Sequence, residues 1–560
     1  MAHQVSTAAG SYDVDVLIVG AGPTGLALAA QLAAYGTSFR ILDRRLRPVE
    51  ESRALAIQPR TLEALRPFGL SAELAAAGTP ARRLQLHLPE ENLDVDLFDT
   101  GLEDTQYGHL LFLPQSETEQ ALIRHLGSRG VRVERGVELM DLQRLDPEDP
   151  FAGMEARIQR MDRGIERIRA RYVVGADGLN STVRAKAGMD FRGGRYPDTF
   201  VVADLEVDGV QPDTVHAYPA EDGFLFLFPL GRPAGWRMIS IREPGDDSAL
   251  DTASLQRIVD RFSDGEVTVR DPQWISTFRL SHQIAEYFQN GSVFLAGDAA
   301  HVHSPVAAQG MNTGIQDALN LGWKLALGAR GLASDDLIDS YDAERRPVAK
   351  DILGFTDRIF RLATSRNALM KLPRTKLLPL LAPKATGITP LRSAVYRRVS
   401  QLGIGYRGSD MTDSNGFPFP GAPRPGDRLP DAEVLQDGAR RRLHDVTAAP
   451  GFHILLTGQG WEDDAAARLA ADLPRLTGLL SVHRLVPGSP IAAAAPGVVQ
   501  DTGGDALRRL GVRPRRPALL VIRPDGHIGY RSTGTELDGA VAYLRRLTAA
   551  ADSAAAAAAG

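Results

Sequence analysis

The chain contains no cysteine among its 560 residues. That excludes disulfides, thiolate-held zinc, iron–sulfur clusters and dithiol redox chemistry together. Excess charge of either sign is also missing. A formal net charge of −5 gives no reason to expect nucleic acid or an anionic membrane as partner. Long apolar runs are scarce. The stretch that comes nearest to a membrane span, Val16 to Ala34, carries three glycines and a proline and is led in by Asp13 and Asp15, so neither a transmembrane helix nor a signal peptide fits it. A cytoplasmic location is the resulting expectation. Metal-ligand spacing is absent too: His301 and His303 have no third ligand at a usual distance, and no metal is expected.

What is present starts at Val16. Val16 to Val19 reads as a buried strand, Gly20 to Gly22 as a tight turn, and the residues from Pro23 as a small-residue helix. Gly20 makes the turn, Gly22 allows close approach to a pyrophosphate, and Gly25 lets the helix pack on the strand. The helix N-terminus offers free N–H groups to the phosphates. A carboxylate is then needed at the end of the next strand to hold a ribose hydroxyl. Phe39 to Asp43 supplies it at about the expected spacing of ~20 residues. The glycine pattern alone is a weak signal. Strand, turn, helix, strand and acid in that order point to dinucleotide binding.

The strand–turn–helix theme recurs twice. Tyr172 to Gly175 leads into Asp177 and Gly178, with Ser181 and Arg184 following at helical spacing. Gly291 to Ala296 leads into Gly297, Asp298 and a long helix. Taken alone, Asp298 also fits a helix N-cap. Between these units, from Phe191 to about Arg279, short alternating segments and Gly/Pro turns predict an inserted antiparallel sheet. Thr61 to Leu74 has helical spacing, Ser116 with Glu119 reads as a capping box, Val131 to Leu139 as a short strand pair, and Arg345 with Arg346 as a solvated face. The organisation so read is a discontinuous cofactor domain (1–190 and 280–350), a sheet domain (191–279), a helical region and linker (351–415), a small α/β module (416–548) and a disordered tail (549–560).

Gly20 to Gly25, Asp177 with Gly178, and Gly297 with Asp298, followed by Trp323-Lys324-Leu325 and Glu344 to Pro347, resemble the class A flavoprotein monooxygenases, the aromatic hydroxylases. From about Asp13 to Leu547 the chain is similar to their phenol hydroxylase-like group, which includes hydroxylases of aromatic polyketides. The resemblance implies an α/β fold: a Rossmann-type FAD-binding domain, an inserted antiparallel β-sheet substrate domain and a C-terminal thioredoxin-like α/β domain. It implies FAD on the glycine turn, with Thr24 and Arg44 beside Gly20, Gly22 and Gly25. Asp43 would hold the adenosine ribose, where the family more often has Glu. Arg53 and Gln115 would reach the flavin side, Leu139 the adenine, and Gly297 with Asp298 the ribityl chain. Gly310, Met311 and Asn312 would open a helix onto the flavin N1–C2=O edge and stabilise its reduced, anionic form. Asp177, Ser181 and Arg184, with Gly178 beside them, correspond to a motif linked with both FAD and NADPH, and Pro305 would lie along the flavin ring. Ala307 and Ala308 stand where many relatives have two glycines. The C-terminal domain has no C-x-x-C, so it cannot carry out thioredoxin chemistry; a scaffold or homodimer role fits it better.

The activity implied is a single-component FAD-dependent monooxygenase. It would use NADPH, or NADH, and O2 to hydroxylate a small phenolic or aromatic polyketide substrate through a flavin C4a-hydroperoxide. In a strand, residues two apart share a face. Phe224, Phe226 and Phe228 are therefore the expected pocket wall, and His216 or Tyr218, on another strand, the expected polar partner of the substrate hydroxyl. Two readings compete: a Baeyer–Villiger oxygenase of a polyketide ketone, and a non-catalytic flavin-binding interaction protein. A flavin-dependent halogenase would carry Trp-x-Trp-x-Ile-Pro, and none of the 4 tryptophans sits in such a motif.

Overall fold

The computed structural model describes residues 12–48, 54–88, 92–220, 223–231, 234–243, 245, 248–304, 308–364, 389–416, 421–488 and 497–548. β1 (Val14–Val19) is apolar and buried almost throughout, as a central parallel strand must be. α1 (Pro23–Ala34) follows at once, with Pro23 in the first turn, where no N–H is required. β2 (Phe39–Asp43) then returns parallel to β1. The helix expected over Thr61 to Leu74 is two helices, Pro59–Leu65 and Leu70–Ala77, because Pro67 and a left-handed Gly69 interrupt it.

The hairpin β3 (Arg83–His87) and β4 (Asn92–Asp96) leaves the first sheet for a second one. α2 (Gln115–Ser128) starts behind Pro114 with no side-chain cap. Ser116 and Glu119 therefore make no capping box, and Glu119 accepts from Gln115 Nε2 at 2.8 Å instead. β5 (Val137–Arg144), β6 (Met154–Arg160) and β7 (Gly164–Gly175) form a meander whose last strand lies parallel to β1. Residues 134–135 pair with β2, not with β5, so the strand pair expected over Val131 to Leu139 does not form. α3 (Thr182–Lys186) is capped by Ser181.

The second sheet contains β8 (Phe191–Asp208), β9 (Thr214–Ala220), β10 (Gly223–Pro229) and β11 (Trp236–Ile241). α4 (Thr252–Ser263) and β12 (Thr268–Ala285) complete the segment. The spatial order is 301–302, β12, β8, β11, β10, β9, β3, β4. The sheet thus recruits the 83–96 hairpin and residues 301–302, and the β9–β3 contact is parallel where a purely antiparallel sheet was expected. Alternation sorts its faces. Val201, Ala203, Leu225, Leu227 and Met238 pack under α4, while Val202, Val215, Phe224, Phe228 and Ile239 turn to the other side.

β13 (Val293–Leu295) rejoins the first sheet beside β7. α5 (Gly310–Ala329), α6 (Asp335–Thr364) and α7 (Thr389–Val399) follow. The last unit is built from β14 (Phe452–Thr457), β15 (Leu480–Pro487), β16 (Val498–Asp501), β17 (Ala518–Ile522), β18 (Ile528–Thr533) and α8 (Asp538–Thr548). In it β14 is parallel to β15 and antiparallel to β17. One face of this sheet shares a continuous apolar core with the first sheet and α5; Trp323 meets Phe452 edge-on at 5.8 Å between ring centres. Among the described residues no helix is long and apolar enough to cross a membrane.

Candidate active site

The two N-terminal sheets and the start of α5 enclose a cavity of about 810 Å³. One end is lined by the β1–α1 turn, Asp43, Leu139 and Asp177. The other is an apolar wall that includes Phe200, Val215, Phe224, Phe226, Phe228 and Phe278. The three phenylalanines of β10 follow one another along it: Phe226 stacks on Phe228 at 5.6 Å between ring centres, and Phe224 meets Phe226 tilted at 5.1 Å. α1 and α5 both begin at this cavity, and neither has a side-chain N-cap. Two positive dipole ends with free N–H groups therefore face the same space.

The glycines of the first turn divide by their surroundings. Gly20 has φ +105, and a Cβ there would lie 2.2 Å from the Ala176 carbonyl oxygen; a Cβ on Gly25 would lie 2.0 Å from that of Gly20. Both serve the fold. A Cβ on Gly22 meets nothing within 4 Å, yet Gly22 lines the cavity. Its missing side chain leaves room for something the protein itself does not supply. Gly310 is similar: the nearest atom to a Cβ there is in the His303 ring, at an ordinary 3.7 Å. Ala308, also on the cavity, holds φ +51, a left-handed conformation that costs a non-glycine residue about 1–2 kcal/mol.

Of the other residues picked out in the sequence, Thr24, Arg44, Gln115, Gly178, Asp298 and Met311 line the cavity. Asp43 already accepts the N–H of Ala21 at 3.0 Å and that of Arg45 at 2.8 Å, which ties the end of β2 to the glycine turn. Asp177 lines the cavity while accepting from Ser181 Oγ at 2.5 Å and the Thr182 N–H at 2.7 Å, so it also fixes the start of α3. Four residues sit behind the lining. Arg184 donates to the Ala299 and Leu179 carbonyls and braces the Asp298 loop. Gly297 donates its N–H to Asp317. Asn312 is buried and bonds Gln58 and Ala56. Gly25 packs on the glycine turn. Arg53, Pro305 and Ala307 lie outside the described residues.

The reading of His216 or Tyr218 as the polar partner of substrate needs correction. Both point away from the cavity, because β9 presents Val215 to it and alternation sends the neighbouring side chain to the α4 side. His216 bonds His87 at 3.0 Å and the Gln211 carbonyl at 3.0 Å, and Tyr218 stacks on His87. Among the described residues, the histidine that lines the cavity is His303. Its Nδ1 sits 3.0 Å from the Ser304 carbonyl, an acceptor, so Nδ1 carries the proton and Nε2 the lone pair. Burial pushes its pKa down to about 4. His87 and His483 are likewise lowered to about 4, chiefly by burial. All three have folded values below their ordinary 6.5, so the unfolded chain takes up protons first as pH falls. Stability is thus expected to decline between about pH 6.5 and about pH 4. Thermal melts across that window check it; a flat melting temperature, or His303→Asn leaving the slope unaltered, would count against the assignment.

Sequence reasoning missed a buried polar seam. Asp317 is fully buried, accepts from Arg345 Nε at 2.7 Å and bonds His301 Nε2 at 2.7 Å. Burial alone would raise its carboxyl, but Arg345 and His301 outweigh it and hold the pKa below its ordinary value. Arg345 is therefore no solvated residue. Further along α5, Lys324 reaches Glu344 at 2.9 Å, and Arg523 from the C-terminal unit grips the same carboxylate with two bonds of 2.6 and 2.8 Å. The signal was present: Asn312, Gln316, Asn320 and Lys324 recur every fourth residue in a largely apolar helix that also carries Asp317, which places the four on one stripe. Among the described residues no cluster suits a metal ion.

Residues 13–356 match the family model described as FAD binding domain. Over 550 residues the chain is 36% identical to 6-methylpretetramide 4-monooxygenase of Streptomyces rimosus, covering 95% of this chain and 94% of that protein. It is 31% identical over 530 residues to pentachlorophenol 4-monooxygenase of Sphingobium chlorophenolicum, covering 93% and 94%. The solved structure of OxyS, the anhydrotetracycline hydroxylase of Streptomyces rimosus, superposes with a TM-score of 0.73 at 27% identity over 96% of this chain and 99% of that one. Fold, glycine turn and cavity together define a flavoprotein oxidoreductase. Within that class the chain belongs to the FAD-dependent aromatic hydroxylases, the class A monooxygenases.

Proposed function

We propose that this enzyme hydroxylates an electron-rich polycyclic aromatic of the phenolic or polyketide kind, with NADPH or NADH as electron donor and O2 as co-substrate. The observation that carries the reading is a single cavity in which two uncapped helix starts face an apolar aromatic wall. The first feature suits a phosphate and an anionic ring edge, the second a flat apolar substrate. Two relatives are named for 6-methylpretetramide and anhydrotetracycline, which supports a fused-ring substrate.

The residues present fit FAD. The space beside Gly22 would admit a pyrophosphate, Asp43 would hold the ribose, and Gly310 with Met311 would offer N–H groups to the pyrimidine edge. Bound FAD, once reduced by the nicotinamide, supplies the oxygen-activating chemistry. The protein's own part is positional. Phe224, Phe226 and Phe228 stack against the substrate rings and keep water out. His303 Nε2, which has no hydrogen-bond partner among the described residues, is placed to accept a hydrogen bond from a phenolic hydroxyl; with its pKa lowered to about 4 it does not take the proton itself. The C-terminal unit serves as scaffold, through Arg523 on Glu344.

Anaerobic stopped-flow bleaching of the bound flavin by NADPH, with and without a panel of phenols and polycyclic quinones, tests this. One compound is expected to accelerate reduction by about tenfold or more, a gain of roughly 1.4 kcal/mol in the barrier. Equal rates with every compound and with none would remove the hydroxylase reading. Product connectivity by NMR then separates ring hydroxylation from insertion beside a ketone.

A further inference from the structure

The segment that leaves α7 carries a strained residue at a telling place. Gln401 is buried, 1% exposed, and holds φ +62, where a non-glycine residue costs about 1–3 kcal/mol. Its amide makes three bonds, all to the start of α5. Nε2 donates to Gln309 Oε1 at 2.6 Å and to Thr313 Oγ1 at 3.0 Å, and Oε1 accepts from Gln316 Nε2 at 2.5 Å. Gln309 in turn donates to the Val399 carbonyl at 2.9 Å, and the Ser400 carbonyl accepts the N–H of Arg60 at 3.2 Å. One side chain therefore spans the N-cap and first two turns of the helix whose open end faces the cavity. Gln309 and Val399 are themselves cavity walls.

We infer that Gln401 is a positioning residue for the flavin: it sets where the N-terminus of α5 lies and so tunes the hold on reduced against oxidised FAD. The inference rests on the reading that the start of α5 faces the flavin pyrimidine edge. α5 has no side-chain N-cap of its own, so the direct constraints on its first turns include these bonds from the linker. An amide that keeps its donors and acceptor paired at three points holds the helix axially and in rotation. Loss of any one leaves a buried polar group unpaired. A glycine would relieve the backbone strain but reach none of the three partners, which is the physical reason for a side chain here.

The test is the midpoint potential of FAD bound to the full-length Gln401→Met and Gln401→Gly variants, with Gly310→Ala as reference. Methionine keeps the bulk and loses the bonds; glycine also removes the strain. Both are expected to hold reduced flavin about tenfold less well relative to oxidised flavin, a midpoint lower by about 30 mV for a two-electron couple. Gly310→Ala, whose methyl meets only ordinary contacts within the protein, should shift the potential as well. If Gly310→Ala moves it and neither Gln401 variant does, the role of Gln401 is purely structural and the inference is wrong. If all three leave it unmoved, the flavin does not lie at the start of α5, and the inference falls with that placement. Should the methionine variant not fold, the glycine variant, free of left-handed strain, gives the same reading.

Discussion

Replacing Gly22 with alanine is expected to weaken FAD binding by about a hundredfold, roughly 2.7 kcal/mol, while the melting temperature of the flavin-free protein stays within about a degree of wild type. The separation follows from the space around the first turn. A methyl at Gly22 touches no protein atom within 4 Å, so the apoprotein has nothing to lose. It projects instead into the cavity, where the pyrophosphate is proposed to approach the start of α1. The same substitution at Gly20 or Gly25 should behave in the opposite way. There the new carbon lands 2.2 Å or 2.0 Å from a backbone oxygen, and the loss is of folded protein. Titration of each apoprotein with FAD, followed by flavin fluorescence, and a melt of the same samples decide the matter. An alanine at Gly22 that binds FAD as tightly as wild type would show that the phosphates sit elsewhere.

Arg523→Met should destabilise the protein by roughly 3–5 kcal/mol, the usual cost of stripping one partner from a buried ion pair. Arg523 has no exposed surface and contacts two carboxylates, Glu344 twice and Asp525 at 2.6 Å. Burial would raise both carboxyls, but Arg523, with Lys324 at Glu344 and His527 at Asp525, holds them below their ordinary range. Lys324 does not replace it, because its ammonium is already bonded to Glu344 and to Asn320 Oδ1. The sign of the pH dependence is set by these depressed carboxylates. Their stabilising contribution is complete above the ordinary Glu value of 4.5 and is lost as pH falls through the folded values. Without Arg523 that contribution is missing at neutral pH. The gap between variant and wild type should therefore be widest above about pH 5 and narrow on acidification. Urea melts at several pH values measure it, and a gap that widens in acid would contradict the assignment.

The glycine turn, the second acid at Asp177 and the third at Asp298 were legible because each is a local event: a strand, a tight turn and a helix within some fifteen residues. The wall of Phe224, Phe226 and Phe228 was legible for a similar reason, since alternation within one strand fixes a shared face. Which face meets the cavity is a different matter. His216 and Tyr218 meet His87 on the far face of the sheet because β9 lies between β10 and β3, and that neighbour, from the 83–96 hairpin, is remote in sequence. Arg345 looked like surface because a doublet of arginines usually is, yet Asp317, a full helix earlier, takes it inside. Arg184 and Asn312 are displaced from direct lining by partners equally far off in the chain. Contacts remote in sequence, a strand neighbour, an ion pair and backbone carbonyls, decide these cases, and a linear pattern carries little trace of them beyond the every-fourth-residue polar stripe on α5.

The order in which a ribosome delivers this chain gives the shared core between α5 and the C-terminal sheet another meaning. Synthesis runs from the N-terminus. When β1, α1 and β2 emerge, their parallel neighbour β7 is still to come, and β3 waits for Val215 to pair with Leu84. α5 arrives with Lys324 and must then await Glu344 and, last, Arg523. A nascent chain halted before that arginine holds a glycine turn, an acid and an aromatic wall, yet its central helix has a bare apolar flank where the C-terminal sheet should pack. A chain truncated before the C-terminal sheet is therefore expected to lose stability at α5, and with it the helix start that borders the cavity, although every lining residue is still present.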